Sequence, residues 1–185
     1  MMITEAQVLN RLYRAATMPG RWESALEAVT RYMGGECIHM LLLGQSPEAT
    51  VSKTWNVAEE ALDPYNRELV HRDPRVLQFK RHPRRRIGYD YRHSTEAEIA
   101  RDPVCEWRRR DFGLKYYLGY IPHLNGVPFA YMTVQRTPAQ GHVSKDEIRR
   151  LLRLAPHMQR ALEIAQRLDH QALAEDNDLA RLDAK

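Results

Sequence analysis

Hydrophobic and polar positions in the first third of the chain alternate with two different periods. Val8, Leu9, Leu12 and Ala16 share one helical face, and Thr4 followed by Gln7 has the form of a capping box, so a helix is predicted to about Thr17. Met18-Pro19-Gly20 ends it. Trp22, Leu26, Val29 and Met33 then mark a second helix, which Gly34-Gly35 closes. From Cys37 to Leu43 the apolar run is short and continuous, as in a buried strand. Thr50 to Trp55 is its expected partner across a turn at Gln45-Ser46-Pro47.

The pattern changes in the middle of the chain. Asp63-Pro64, Asp73-Pro74 and Asp102-Pro103 each set a capping acid before a proline with no N–H to lose, and so predict three helix starts. One strand is expected near Ile87 to Tyr91. Leu114 to Leu124 and Val127 to Arg136 flank Asn125-Gly126, the residues a two-residue hairpin turn favours. Such a turn pairs Leu124 with Val127, Tyr120 with Tyr131 and Leu118 with Thr133. It would place Leu118, Tyr120, Phe129 and Tyr131 on one face, and Gly119, Ile121, Ala130, Met132 and Val134 on the other.

Ser144 and Glu147 form a second capping box and open a long helix reaching Leu168 or beyond. Leu151, Leu154, Met158, Ala161, Ala165, Leu168 and Ala172 follow one another at steps of three and four, with Leu179 and Leu182 prolonging the series. This is the spacing of a coiled-coil seam, so the first six are candidate dimer-interface residues, and aspartate at Leu151 and Met158 is expected to give monomers. Pro156 predicts a kink or break near Leu152. The sequence of elements implies an α+β fold: one antiparallel sheet flanked by helices over residues 1–168, then an acidic tail or linker at 169–185.

Composition narrows the class. With 185 residues, 43 % hydrophobic and 28 % charged, the chain can bury a core without staples, and no apolar run approaches a membrane span. The N-terminus is polar rather than signal-like, so a cytoplasmic protein is expected. Cys37 and Cys105 stand alone and suit reduced core thiols, and His123, His142 and His157 are too widely spaced to suggest a metal site. For His157 the expected role is a hydrogen bond to the sheet or to a partner subunit. The net charge of +4 is too small to argue for nucleic acid. Lys80, Arg81, Arg84, Arg85, Arg86 and Arg92 cluster against a single acid, Asp90. The runs Arg84 to Arg86 and Arg108 to Arg110 lack interleaved aromatic stacking platforms and read as solvated or acid-paired faces. No nucleophile elbow, zinc-protease helix, phosphate loop or dinucleotide fingerprint is present, so neither an enzyme nor a cofactor is expected.

Three segments resemble the N-terminal sensor region of LuxR-type helix-turn-helix transcriptional regulators: LNRLYRAATMPGRWESALEAVTRYMGG, YNRELVHRDPRVLQF and LLRLAPHMQRALEIAQRL. The resemblance covers nearly the whole chain, and Leu154-Ala155-Pro156-His157 followed by Arg160-Ala161-Leu162 is its most specific part. It implies a GAF- or PAS-like antiparallel sheet with helices on its faces and a DNA-binding domain after the long helix, through whose seam a homodimer is expected. Here only DHQALAEDNDLARLDAK follows Leu168, so DNA contact is expected only through a domain absent from this chain. In lactone-binding members a Trp/Tyr helix followed by Asp-Pro holds the ligand. Tyr65 and Asp73-Pro74 resemble that arrangement, with Ala61 where the tryptophan would stand. The candidate small-molecule site comprises Trp55, Tyr65, Asp73, Trp107, Tyr116, Leu118, Tyr120 and Met132, apolar and aromatic groups around one acid. Core packing for the aromatics and helix capping for Asp73 are the competing roles. A module that dimerises through its last helix and binds no small molecule is the competing function, and a hollow or filled interior separates the two.

Overall fold

A computed structural model describes residues 3–43 and 51–183, with side chains as far as 171 except those at 59 and 170. The turn expected at Gln45-Ser46-Pro47 and the seam positions Ala172, Leu179 and Leu182 lie outside the described residues or side chains. Thr4 caps α1 (Glu5–Thr17) reciprocally: its Oγ1 accepts from the Gln7 N–H at 3.3 Å, and the Gln7 side chain accepts from the Thr4 N–H at 2.9 Å. A short turn at Pro19–Arg21 leads into α2 (Trp22–Tyr32), whose end is followed by Gly34 at a positive φ of 66°. The apolar faces of these two helices, Val8, Leu12 and Ala16 on one and Trp22, Leu26 and Val29 on the other, are fully buried against each other and the sheet.

The sheet has five antiparallel strands: β1 (Cys37–Leu42), β2 (Val51–Trp55), β3 (Ile87–Tyr89), β4 (Tyr116–Tyr120) and β7 (Ala130–Arg136), in the order β2-β1-β7-β4-β3. Between β2 and β4 come α3 (Glu59–Pro64), a π-helical turn (Tyr65–Leu69), α4 (Pro74–Arg81), then β3, and after it α5 (Glu96–Arg101) and α6 (Pro103–Phe112). Asp73 and Asp102 cap α4 and α6 as their sequences predict, Asp102 Oδ1 accepting from the Val104 and Cys105 N–H groups at 2.9 Å. Asp63-Pro64 departs from that expectation: it ends α3 rather than starting a helix. The chain continues into the π turn, where the Val70 N–H reaches the Tyr65 carbonyl at 2.8 Å.

The Asn125-Gly126 hairpin forms, with β5 (His123–Leu124) paired to β6 (Val127–Pro128), but its register slips on entering the large sheet. His123 faces Pro128, whereas Tyr120 faces Met132, Leu118 faces Val134 and Tyr116 faces Arg136, so the second strand carries one extra residue. The Phe129 N–H donates to Pro122 at 3.1 Å while its carbonyl accepts from the Leu43 N–H at 2.9 Å, so the bulge joins two neighbouring segments. This corrects the expected faces. Leu118 and Tyr120 lie with Ala130, Met132 and Val134 in the helical core, and Tyr131 joins Phe79, Tyr117 and Ile121 on the other side.

The last helix, α7 (Lys145–Asp183), runs uninterrupted through Pro156, correcting the expected break. Pro156 is exposed, so the Leu152 carbonyl it leaves without an N–H partner lies on the solvent face, where water satisfies it. The expected dimer seam is also relocated. Leu151, Leu154, Met158 and Ala161 belong to the chain's own core with α1 and α2, and only Ala165 and Leu168 remain even partly accessible, Leu168 at 42 %. His157 bonds the Tyr13 hydroxyl of α1 at 2.9 Å rather than the sheet. Arg136, buried at the end of β7, donates to the Met33 and Gly34 carbonyls and to Glu147 of α7 at 2.9–3.3 Å, tying the end of α2 to the start of the last helix. Aspartate at Leu151 or Met158 is therefore expected to unfold the chain rather than dissociate a dimer. Leu154→Ala should cost about 2–5 kcal/mol in urea unfolding, and Leu152→Ala, at a 54 % exposed position, less than about 0.5 kcal/mol.

Candidate ligand cavity

The two faces of the sheet are covered differently. α1, α2 and α7 cover one face with a continuous apolar core, and the side chains of β1 and β7 that point the other way, Cys37, His39 and Leu41 with Tyr131, Thr133 and Gln135, form the floor of a half-enclosed cavity of about 720 Å³. Its opposite wall comes from Ala61 and Leu62 of α3, Tyr65 and Val70, then Arg75, Val76 and Phe79 of α4, and Trp107, Arg108 and Phe112 of α6. Tyr65 stacks on Trp107 with centroids 6.3 Å apart and planes 11° from parallel, and Phe112 meets Trp107 edge-on at 5.1 Å. Phe79 closes one end. It can approach the sheet because Gly88 and Gly119 face each other across β3 and β4, and a Cβ on Gly88 would lie 2.7 Å from its ring.

One end of the cavity is polar. Asp73, fully buried, accepts from the Arg75 N–H at 2.8 Å, from Arg75 Nε at 3.0 Å and Nη2 at 2.5 Å, and from the Tyr65 hydroxyl at 2.9 Å. Burial alone would raise the Asp73 carboxyl, but the Arg75 guanidinium outweighs it and holds the carboxyl well below its usual range. Burial pushes the Tyr65 hydroxyl up to about 12. Arg75 Nη1 continues to Gln135 Oε1 at 2.9 Å, and Arg108 Nη1 shares that same oxygen at 3.3 Å. Arg75 also lies over the Tyr117 ring at 5.5 Å. On β1, His39 bonds Ser52 Oγ at 2.7 Å and is pushed down to about 4, by burial first and by Arg75 second. Burial raises the Cys37 thiol to about 12, which leaves it unreactive.

Of the candidate ligand residues, the structure brings Tyr65 and Trp107 to the cavity wall and Asp73 just behind it. Leu118, Tyr120 and Met132 face the helical core on the far side of the sheet. Trp55 packs there too, beneath Arg31 of α2, and Tyr116 lies at the sheet's end against His142 and Glu96. All five misplaced residues lie on strands, and of these the bulge accounts for Met132, which it turns to the side of Leu118 and Tyr120. Arg75, Arg108, His39, Phe79, Thr133 and Gln135 were not legible as a site. For Arg108 a signal exists: Val104, Cys105 and Arg108 fall on the buried side of α6, while Arg109 and Arg110 face outward and pair with Glu106 and Asp111.

No family model and no curated protein matches the sequence. Solved structures do match in fold. The VqsR ligand-binding domain from Pseudomonas aeruginosa aligns with a TM-score of 0.67 at 13 % identity over 88 % of this chain and 96 % of that one. CepR2 from Burkholderia cenocepacia, an N-acylhomoserine lactone dependent LuxR family transcription factor, aligns at 0.58 and 16 % over 89 % and 97 %. The GAF domain of an Acinetobacter phosphoenolpyruvate-protein phosphotransferase aligns at 0.55 and 13 % over 88 % and 96 %. The chain thus has a GAF-like α+β fold, which it shares with the VqsR ligand-binding domain.

The buried acids give a pH signature. Burial pushes Asp90 up to about 6 from its ordinary 3.8, partly offset by the Tyr117 N–H that its Oδ2 accepts at 2.7 Å. The folded chain therefore holds the Asp90 proton more tightly than the unfolded chain, and this group lowers stability as pH rises from about 4 to about 6. His39, with its folded pKa depressed, acts in the opposite direction between about 4 and its ordinary 6.5. Asp90→Asn removes only the first effect. The stability of the variant relative to the parent is expected to increase by about 2 kcal/mol between pH 4 and pH 7 in denaturant titrations, and a pH-independent difference would contradict the assignment.

Proposed function

We propose that this chain is the ligand-sensing and dimerising domain of a LuxR-type transcriptional regulator, acting in the cytoplasm and reaching DNA through a domain outside these residues. The cavity carries the proposal. A hollow of about 720 Å³ with mainly apolar and aromatic walls and a few converging polar groups is the form of a small-molecule site, and a module acting only through its surface has no use for one. The sensor folds of the similar structures support the same reading. A catalytic role has little to support it. Asp73 is locked by Arg75, the Cys37 thiol is held protonated, and among the described residues His39 has no acid on its second ring nitrogen to complete a relay with Ser52. No described helix is long and apolar enough to cross a membrane.

A signal has a short path. Tyr131 and Thr133 face the cavity while Met132 and Val134, their neighbours on β7, face the helical core, so an effector pressing on one side of the strand is felt on the other. The Tyr120 hydroxyl donates to Gln159 of α7 at 3.3 Å, and Gln159 Nε2 donates to the His123 carbonyl at 2.8 Å. A ligand that favours one placement of the sheet thereby biases the helix that leads toward the DNA-binding domain.

Ala61→Trp tests the cavity directly. The variant should stay folded, and small molecules that raise the Tm of the parent chain should leave its Tm unchanged; equal shifts in both proteins would place binding elsewhere. Dimerisation is assigned to the stretch of α7 that runs past the core, where Ala165 is half-buried and Leu168 exposed on one side of the helix. Leu168→Glu should convert a dimer to a monomer in sedimentation velocity with little change in Tm, and a persisting dimer would exclude that face.

A further inference from the structure

The polar end of the cavity contains two arginines and one committed counter-ion. Asp73 is spent on Arg75: both carboxylate oxygens are occupied by Arg75 and Tyr65, so it offers no acceptor to a ligand amide. Arg108 is as deeply buried, at 3 % exposure, and among the described residues it makes no ion pair. Its hydrogen bonds go to neutral groups, Gln135 Oε1 at 3.3 Å and Cys105 Sγ at 3.1 Å, and burial keeps that thiol protonated. Its Nε is buried with no hydrogen-bond partner among the described residues. The other acid of this layer, Asp90, gives its Oδ2 to the Tyr117 N–H and makes no ion pair among the described residues.

A guanidinium buried among neutral partners is costly, and an anion supplied from outside removes the cost. The site's own charges point the same way, since Arg75, Lys80 and Arg108 line the cavity and Glu36 is the acid among its lining residues. One unpaired buried cation calls for a single negative charge, and the planar edge of a guanidinium matches the two oxygens of a carboxylate. Resting on the reading of this cavity as a ligand site, we propose that it takes an amphipathic monocarboxylate, its carboxylate at Arg108 beside Gln135 and its apolar body along Leu41, Leu62, Val76 and Trp107.

Octanoate, octanamide and octyl phosphate, titrated calorimetrically into the whole chain, separate the possibilities. Octanoate should bind at least about tenfold more tightly than octanamide, the margin of a charge-assisted hydrogen bond. In Arg108→Gln the two should come within about twofold of each other, with octanamide unaffected. The comparison on the unaltered chain stands even if that variant folds poorly. Equal binding of octanoate and octanamide by the parent overturns the carboxylate assignment but leaves the sensor reading intact, because the cavity would still be binding the apolar body. Tighter binding of octyl phosphate than of octanoate overturns the single-charge assignment. Binding of none of the three overturns the inference, and the Ala61→Trp comparison then decides the sensor reading separately.

Discussion

The buried pair of Asp73 and Arg75 is the constraint on which the cavity depends. It joins the start of α4 to the floor of the sheet through Gln135, and Arg108 brings α6 to the same oxygen. The helices above this face are therefore held by directed polar contacts at one end and by Phe79 at the other, and they need not collapse onto the strands between. An apolar interface of the same extent would close by packing, because interiors otherwise fill to crystal-like density. The arrangement is stringent. A guanidinium left without its carboxylate in this setting destabilises by about 3–5 kcal/mol, a large part of the 5–15 kcal/mol that typically holds a domain together.

The same sheet thus serves two different purposes on its two faces. Toward α1, α2 and α7 it presents Ile38, Met40, Leu118, Met132 and Val134, which interlock with helical side chains and supply the stability. Toward α4 and α6 it presents His39, Thr133 and Gln135, which are polar enough to line a hollow and too few to fill it. Adjacent residues on one strand belong to the rigid side and to the receptive side. The packed core and the cavity lining are in this way assigned to alternate positions, and either set can vary without directly disturbing the other.

Much of this fold was legible in local signals that physics enforces strongly. The capping boxes at Thr4 and Ser144, the caps at Asp73 and Asp102, and the Asn125-Gly126 turn each satisfy backbone groups by short-range geometry, and each occurs where the sequence implies. Tertiary context decided the rest. Asp63-Pro64 has the same chemistry as Asp73-Pro74, yet a helix already under way from Glu59 absorbs it. The apolar series on α7 has the spacing of a seam between chains, and spacing alone does not say whether α1 or a second subunit fills it. The bulge at Phe129 had no signature in the hydrophobic pattern, and it reversed every face assignment beyond it. The candidate site was recovered only where helices carried it, at Tyr65, Asp73 and Trp107, and lost on the strands, where the pattern does not say which face of the sheet the cavity occupies. Arg75 and Arg108 were obscured because a buried arginine and a solvated one look alike without their partners.

The meeting of α1 and α7 has a consequence for how the chain comes into being. Val8 and Leu12 share a core with Leu154 and Met158, and Glu5 pairs with Arg153 at 3.0 Å, so α1, made early in this fold, is completed by α7, made about 140 residues later. During translation the α1–α2 hairpin and the whole sheet must wait, with their apolar faces uncovered, until residues near Leu162 have cleared the ribosome. At about 5–20 residues per second that exposure lasts for many seconds. Chaperone capture of the nascent chain would fall within that interval, and synonymous codons that slow translation just before α7 would lengthen it without altering a single contact of the finished protein.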